Sequence, residues 1–487
     1  MGQRVVVIGA GVGGLATAAL LARDGDEVTV IEKNEQAGGR ASMLERDGFR
    51  FDMGPSWYLM PDVFERFFQQ MGTTTADHLK LRRLSPHYRL FFADGTHVDI
   101  TGDLARDKLL FEQLEPGSAA RFEQYLAEAK QKYDVSLRSI LYRNLSWRDF
   151  SDPELQAQGR NLHVFESMEH YVRRFFRAEK MHQILQHTLL FLGGTPQTTP
   201  ALYSLMTHVD FGLGVWYPDG GIYEVINALV RIGQQHGVRY LYNAPVTQIE
   251  VTSGRVTAVH SGAQRLPADV VVSNADYHHT ETLLSDQRQR QFGDFYWRRR
   301  SLAPSAFILY LGVKGTLPTL AHHNLLFSKE WDTHFRQLVK HPVWPMQPSL
   351  YLCVPSKTDP TVAPPDHENV FILVPVASGL YETDQSRAEY ADHILHYIET
   401  QLNIGIRHRI VTQQIFSVSD FASRYNSYQG SALGLAHTVW QSSIFRPPNR
   451  SKRVPNLYFV GANTTPGIGV PMCLISAQVV RDRLRAT

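Results

Sequence analysis

Cysteine is scarce: Cys353 and Cys473 are the only two in 487 residues, and they match no metal-ligand spacing. This excludes a disulfide framework, argues against a zinc site, and fits a reducing compartment. Long apolar runs are missing too. No stretch approaches the ~20 consecutive apolar residues of a membrane-spanning helix, and the run from Leu302 to Val313 is interrupted by proline. The chain opens Met-Gly-Gln-Arg and passes directly into Val5-Val-Val-Ile8. It lacks the charged, apolar and small-residue succession of a signal peptide, so cytoplasmic placement is the expectation. Net charge is nearly absent, with 49 Lys and Arg against 47 Asp and Glu. That balance excludes nucleic-acid binding as the main activity. No Ser-His-Asp or paired-carboxylate motif is visible.

What remains is a globular composition, 43% hydrophobic and 20% charged, on a chain too long for one core, since single cores stop growing near roughly 250–300 residues. One segment is conspicuous: between Met181 and Val209 there is no Asp, Glu, Lys or Arg. Leu189-Leu-Phe-Leu192 and Leu202-Tyr-Ser-Leu-Met206 flank Gly193-Gly-Thr-Pro196, which reads as two apolar pieces around a turn. The pattern suits a buried helical hairpin, the lining of an apolar channel or a monotopic membrane contact. Arg173, Arg174, Arg177 and Lys180 precede it and would suit anionic headgroups.

The amino terminus carries the strongest motif. Val5 to Ile8 suits a parallel strand covered on both faces. Gly9 permits a tight turn, Gly11 lets the backbone approach a pyrophosphate, and Gly14 allows close helix–strand packing. The helix start offers free N–H groups to phosphates. Glu27 to Ile31 reads as the second strand and ends at Glu32, placed to accept hydrogen bonds from a ribose diol and to repel a 2′-phosphate. Beyond it, Gly38-Gly39-Arg40 supplies a fixed cation for a phosphate or a flavin edge, followed by the turn Gly54-Pro55-Ser56. In the tail, Asn456 to Gly461 reads as a buried strand, Ala462 to Pro471 as a glycine–proline loop, and Met472 to Leu484 as a helix. The dipole of a helix beginning near Pro471 would stabilise negative charge on a reduced isoalloxazine.

With these motifs assembled, the chain resembles the flavin-dependent amine oxidase superfamily and, within it, the bacterial and fungal phytoene desaturases. The superfamily carriers are Val7-Ile-Gly-Ala-Gly-Val-Gly-Gly-Leu15 and Glu32-Lys-Asn-Glu-Gln-Ala-Gly-Gly-Arg40. The desaturase carriers are Val215-Trp-Tyr-Pro-Asp-Gly-Gly221 and Tyr458 to Pro471; Phe51 to Ser56 and Ser273-Asn-Ala-Asp276 also match. The chain departs from many relatives at Asn463, Thr465 and Met472-Cys473. The resemblance implies FAD contacts at Gly9, Gly11, Val12, Gly13, Gly14, Glu32, Gly39, Arg40, Gly54, Pro55, Ser56, Val246 through its backbone, Gly461, Gly467, Ile468, Val470 and Met472.

The implied fold is α/β: a discontinuous Rossmann-like FAD-binding domain near 1–75, 215–280 and 425–487. A helical substrate and membrane-contact insertion, 76–214, and an α+β substrate domain, 281–424, interrupt it. Strands are expected at Tyr88 to Phe92, Ala306 to Gly312, Leu350 to Val354 and Val370 to Val374. The implied reaction is desaturation of a long apolar isoprenoid, phytoene or a related acyclic carotenoid. An allylic hydride would pass to the flavin, a proton would be lost from the adjacent carbon, and oxygen or a quinone would reoxidise the cofactor. Asp149, in Trp147-Arg-Asp-Phe150, is a weak candidate proton acceptor, and a helix-entry salt bridge is the favoured explanation of it. An FAD-dependent carotenoid isomerase and a flavin amine oxidase are the rival readings. No metal is expected, and peripheral membrane association is.

Overall fold

The computed structural model describes residues 2–143, 149, 151, 159, 162–339 and 341–486. Five parallel strands form the first sheet, in the order Leu457–Phe459, Val270–Ser273, Arg4–Ile8, Glu27–Ile31, Arg239–Leu241. The apolar run at the amino terminus is buried on both faces because alternate residues serve two cores. Val5 and Val7 meet helices Val12–Arg23, Tyr223–Gln235 and Val470–Arg485. Val6 and Ile8 pack instead against Ile249 and Val259, from a three-stranded antiparallel sheet, and against Tyr277. This explains why the first strand reads as continuous Val and Ile instead of an alternation.

The strand-to-helix turn is sterically constrained. Gly9 has φ +94°, and a Cβ on Gly14 would lie 2.1 Å from the Gly9 carbonyl oxygen. The helix therefore starts directly against the strand end, with no side chain capping its first turn.

A second, seven-stranded sheet takes strands from distant parts of the chain, in the order Ile410–Phe416, Ser305–Lys314, His367–Val376, Leu350–Cys353, His323–Leu326, Tyr88–Phe91, His97–Ile100. The strands expected near 88, 306, 350 and 370 are all present. Alternation again sets the faces. Ala306, Ile308 and Tyr310 enter an aromatic core with Phe49, Phe51 and Phe371, while Phe307, Leu309 and Leu311 meet helix Asp384–Leu402. Residues 49–53 connect this sheet to the rest: the Tyr310 hydroxyl donates to the Met53 carbonyl at 2.8 Å and the Asn369 amide to the Arg50 carbonyl at 2.8 Å.

The uncharged segment does not form a simple hairpin. Helix Glu179–Gln186 and the turn Leu189–Leu192 stop at Gly193, which has φ +69°. The chain resumes after Pro200 as Ala201–Ser204 and Leu205–Thr207, then widens into a π-helical turn, His208–Leu213. The expected turn at Gly193 is present, but the apolar pieces on either side of it are short helical turns instead of two continuous helices. Among the described residues, no helix is long and apolar enough to cross a membrane.

Helix Ser118–Ser136 carries a lysine inward. Lys132 is 1% exposed, donates to Ser204 Oγ at 2.9 Å and lies 3.5 Å from the centre of the Tyr171 ring. Burial pushes its pKa down to about 7. Between that value and the ordinary 10.5, the unfolded chain holds a proton that the folded one does not, so stability rises with pH across this window. Urea unfolding of wild type and Lys132→Met is expected to show the wild type gaining on the variant as pH rises through the window, with a constant difference below it. A pH-independent difference would contradict the burial.

Candidate active site

The two sheets and the helical insertion enclose a cavity of about 690 Å3. Its walls come from the head, middle and tail of the chain, and each part arrives at a strand end or a helix start. At one end are Gly9, Gly11, Val12 and Gly13, with Gly39 and Arg40 from the following loop. Glu32 closes this end, 5% exposed. Its Oε2 accepts from the Ala10 N–H at 2.8 Å, and its Oε1 from the Asn34 N–H at 2.8 Å and side-chain amide at 2.9 Å. One lone pair on Oε2 remains for a further donor. Val246 lines the same region beside Ala244, whose N–H donates to the Glu32 carbonyl at 2.9 Å.

Arg40 supplies the fixed positive charge. It donates to Ser427 Oγ at 2.6 Å and to the Ser431 carbonyl at 3.4 Å, and its Nε is buried without a partner. Desolvation lowers its pKa, with Asp276 acting the other way. A half-buried guanidinium whose Nε is shielded and unused is the feature an anionic ligand satisfies. Gly54, Pro55 and Ser56 form the next stretch of wall, and Ser56 Oγ lies 2.7 Å from the Tyr351 hydroxyl. Ile468, Gly469, Val470, Pro471 and Met472 come from the start of the last helix, whose first turn has no acidic residue and no side-chain cap.

Three of the expected glycines lie just behind this surface. Gly14 seals the strand–helix junction. Gly461 donates its N–H to Ser476 Oγ at 3.1 Å, and a Cβ there would lie 2.4 Å from Asn274 Nδ2. Gly467 faces His437 Nε2, 2.5 Å from an added Cβ. Their neighbours Val460, Ala462, Pro466 and Ile468 reach the cavity.

The rest of the lining is largely apolar. The uncharged segment contributes Leu190, Leu202, Leu205 and Met206, the helical insertion Tyr133, Ile140 and Leu141, and the larger sheet Ile308 and Leu373. Asp149 is half-buried and is not one of the lining residues; its neighbours Trp147, Arg148 and Phe150 lie outside the described residues. A different carboxylate, Asp210, does line the cavity, at 4% exposure. Sequence reasoning passed over it although it is the first charged residue after the uncharged segment. Cys353 also meets partners that its sequence spacing hid. It lies beside His322 and His323, with donor atoms within 4.8 Å of one another. His323 Nδ1 is already 2.7 Å from the Tyr351 hydroxyl. Burial lowers both imidazoles, His322 to about 3.

A parallel sheet whose first turn is a glycine loop, with an acid at the second strand end and a second helix start converging on one cavity, defines a dinucleotide-binding protein. The family described as flavin containing amine oxidoreductase matches residues 12–480. A carotenoid 3,4-desaturase of Haloarcula japonica is 48% identical over 99% of this chain and 98% of its own length. A zeta-carotene-forming phytoene desaturase of Myxococcus xanthus is 36% identical over 99% and 94%. Among solved structures, an oxidoreductase from Methanosarcina mazei superposes with a TM-score of 0.64 at 18% identity, covering 99% of this chain and all of that one. The chain belongs to the flavin-containing amine oxidoreductase family, in its carotenoid-desaturase branch. FAD is its cofactor, and the side-chain-free glycine loop, the uncapped helix starts and the unpartnered Arg40 Nε fit that group.

Arg40→Met is expected to weaken FAD binding about 10–100-fold, the worth of one charge-assisted hydrogen bond. The apoprotein should keep near-wild-type stability, because the half-buried Arg40 makes only two hydrogen bonds within the protein. Flavin titration with thermal unfolding of the apoprotein reads both. Unchanged FAD affinity would contradict the assignment.

Proposed function

We propose that the protein is an FAD-dependent desaturase of acyclic carotenoids, phytoene or a related chain, introducing double bonds in conjugation with those present. One observation carries the reading: the cradle for a charged dinucleotide and the apolar side chains Leu190, Leu202, Leu205 and Met206 belong to the same cavity. Names of full-length relatives at 36–48% identity support the substrate class. Bound FAD supplies a two-electron oxidant that takes a hydride from an allylic carbon.

The chain's own residues do the remaining work. In this reading Gly9, Gly11, Val12, Gly13, Glu32 and Val246 hold the adenine nucleotide half, with Gly14 keeping the turn closed. Gly39, Arg40, Gly54, Pro55, Ser56, Ile468, Val470 and Met472 hold the flavin half, with Gly461 and Gly467 shaping its loop. The start of helix Val470–Arg485 favours negative charge at its end of the cavity. Leu202, Leu205, Met206, Ile140 and Leu141 bind the hydrocarbon and exclude water, each buried Å2 contributing about 25 cal/mol. Segments 1–75, 215–280 and 425–487 form the FAD-binding body, and 76–214 and 281–424 the substrate part. Oxygen or a quinone accepts the electrons.

Delivery of such a substrate implies peripheral contact with a membrane. The basic residues before the uncharged segment are largely engaged within the protein: Arg173 with Glu169, Arg174 with Glu166 and Lys180 with Asp94. The exposed apolar side chains Leu104 and Leu109, from helix Leu104–Leu114, are the better contacts.

Anaerobic incubation of the FAD-loaded protein with phytoene, or with an already conjugated acyclic carotenoid, tests the function. Bleaching of the flavin together with a longer-wavelength carotenoid band is expected. A change of double-bond geometry without a gain in their number would identify an isomerase, and bleaching by small amines alone an amine oxidase.

A further inference from the structure

The cavity wall holds one carboxylate for which cofactor binding and packing give no reason. Asp210 lies in the π-helical turn His208–Leu213, at the end of the uncharged segment. It is 4% exposed and lines the cavity among apolar residues. Tyr88 donates its hydroxyl to Oδ2, whereas Oδ1 is buried without a hydrogen-bond partner. Nδ1 of the fully buried His87 lies 3.7 Å from Oδ1. The Tyr88 ring is 5.3 Å from that of Trp57, the residue after Ser56, so the carboxylate stands close to the turn that contacts the flavin in the reading above. A buried carboxylate with an idle oxygen costs stability, and an amide or an apolar residue would fill the site at lower cost. Single π turns inside helices are frequent at functional sites.

We propose that Asp210 is the catalytic base of the desaturation, with Tyr88 and His87 as its positioning residues. This rests on the desaturase function proposed above. The hydrocarbon loses a hydride, which carries two electrons to the flavin and onward to the oxygen or quinone. At the neighbouring carbon a C–H bond breaks, its proton forms an O–H bond with Asp210 Oδ1, and its electron pair becomes the new carbon–carbon π bond. Hydride and proton together equal the two hydrogens removed. Tyr88 holds Oδ2, so the idle oxygen is left for the substrate.

The test compares wild type, Asp210→Asn and Asp210→Glu, each loaded with FAD, in a single anaerobic turnover with the acyclic carotenoid that wild type desaturates. Asp210→Asn is expected to slow formation of the double bond on the order of 10²–10⁴-fold, the usual worth of a general base, while FAD content and carotenoid affinity stay near wild type. Asp210→Glu should recover part of the rate. In wild type, infrared difference spectra on mixing with substrate should show a new protonated-carboxyl band that moves when the carotenoid is deuterated, a readout that needs no variant to fold. Near-wild-type turnover by Asp210→Asn, or no such band in wild type, would overturn the assignment of the base. Failure of wild type itself to form a double bond would overturn the desaturase function instead.

Discussion

The constraint on which the structure depends is that a dianionic dinucleotide and a hydrocarbon must share one water-poor cavity. Ionic side chains that balance the dinucleotide would damage affinity for the hydrocarbon, and an isolated charge in an apolar medium is expensive. The fold separates the two demands along the chain. In the proposed reading, phosphate recognition falls mainly to peptide N–H groups at helix starts, which carry partial charge with no side chain, and to the guanidinium of Arg40. The proposed hydrocarbon wall is Leu190, Leu202, Leu205 and Met206, from a segment without ionic residues.

Because the cradle needs strand ends, and strand ends lie far apart in sequence, the parallel sheet is assembled from five separate pieces. Glycines at the junctions then have a defined purpose: at Gly14 the helix sits so close to the preceding turn that a methyl group would overlap the Gly9 carbonyl. The second sheet carries the opposite wall. Its alternation sends Ile308 and Tyr351 towards the cavity side and Phe307, Leu309 and Leu352 towards a helix-covered core. Contacts such as Tyr310 to Met53 keep the two sheets in fixed relation.

Much of this was legible in the sequence because it rests on local periodicity and on glycine spacing. The β-branched run at Val5, the acid at Glu32, the tail helix after Pro471 and the isolated strands near 88, 306, 350 and 370 all follow from neighbouring residues. Pairings were not legible. Nothing in the sequence places strand Tyr88–Phe91 parallel to strand His323–Leu326. Cys353 likewise meets His322 and His323 only through antiparallel pairing of their strands. The uncharged segment was recognised as apolar with a turn at Gly193, yet the pieces beside that turn are short helical turns and not the two helices of a hairpin. Asp210 was missed because one acidic residue at a helix end is unremarkable until its surroundings are known. The signal was present in its position, immediately after a long stretch without charge.

The central claim is that flavin and hydrocarbon occupy one continuous cavity with the reactive ring against the apolar wall. A crystal structure of the protein with FAD and a bound acyclic carotenoid tests it most directly. The account requires the isoalloxazine between the Ser56 turn and the Val470 helix start, with the polyene running along Leu202 and Met206 in contact with it. A carotenoid bound on the outer surface, or separated from the ring by protein, would contradict it.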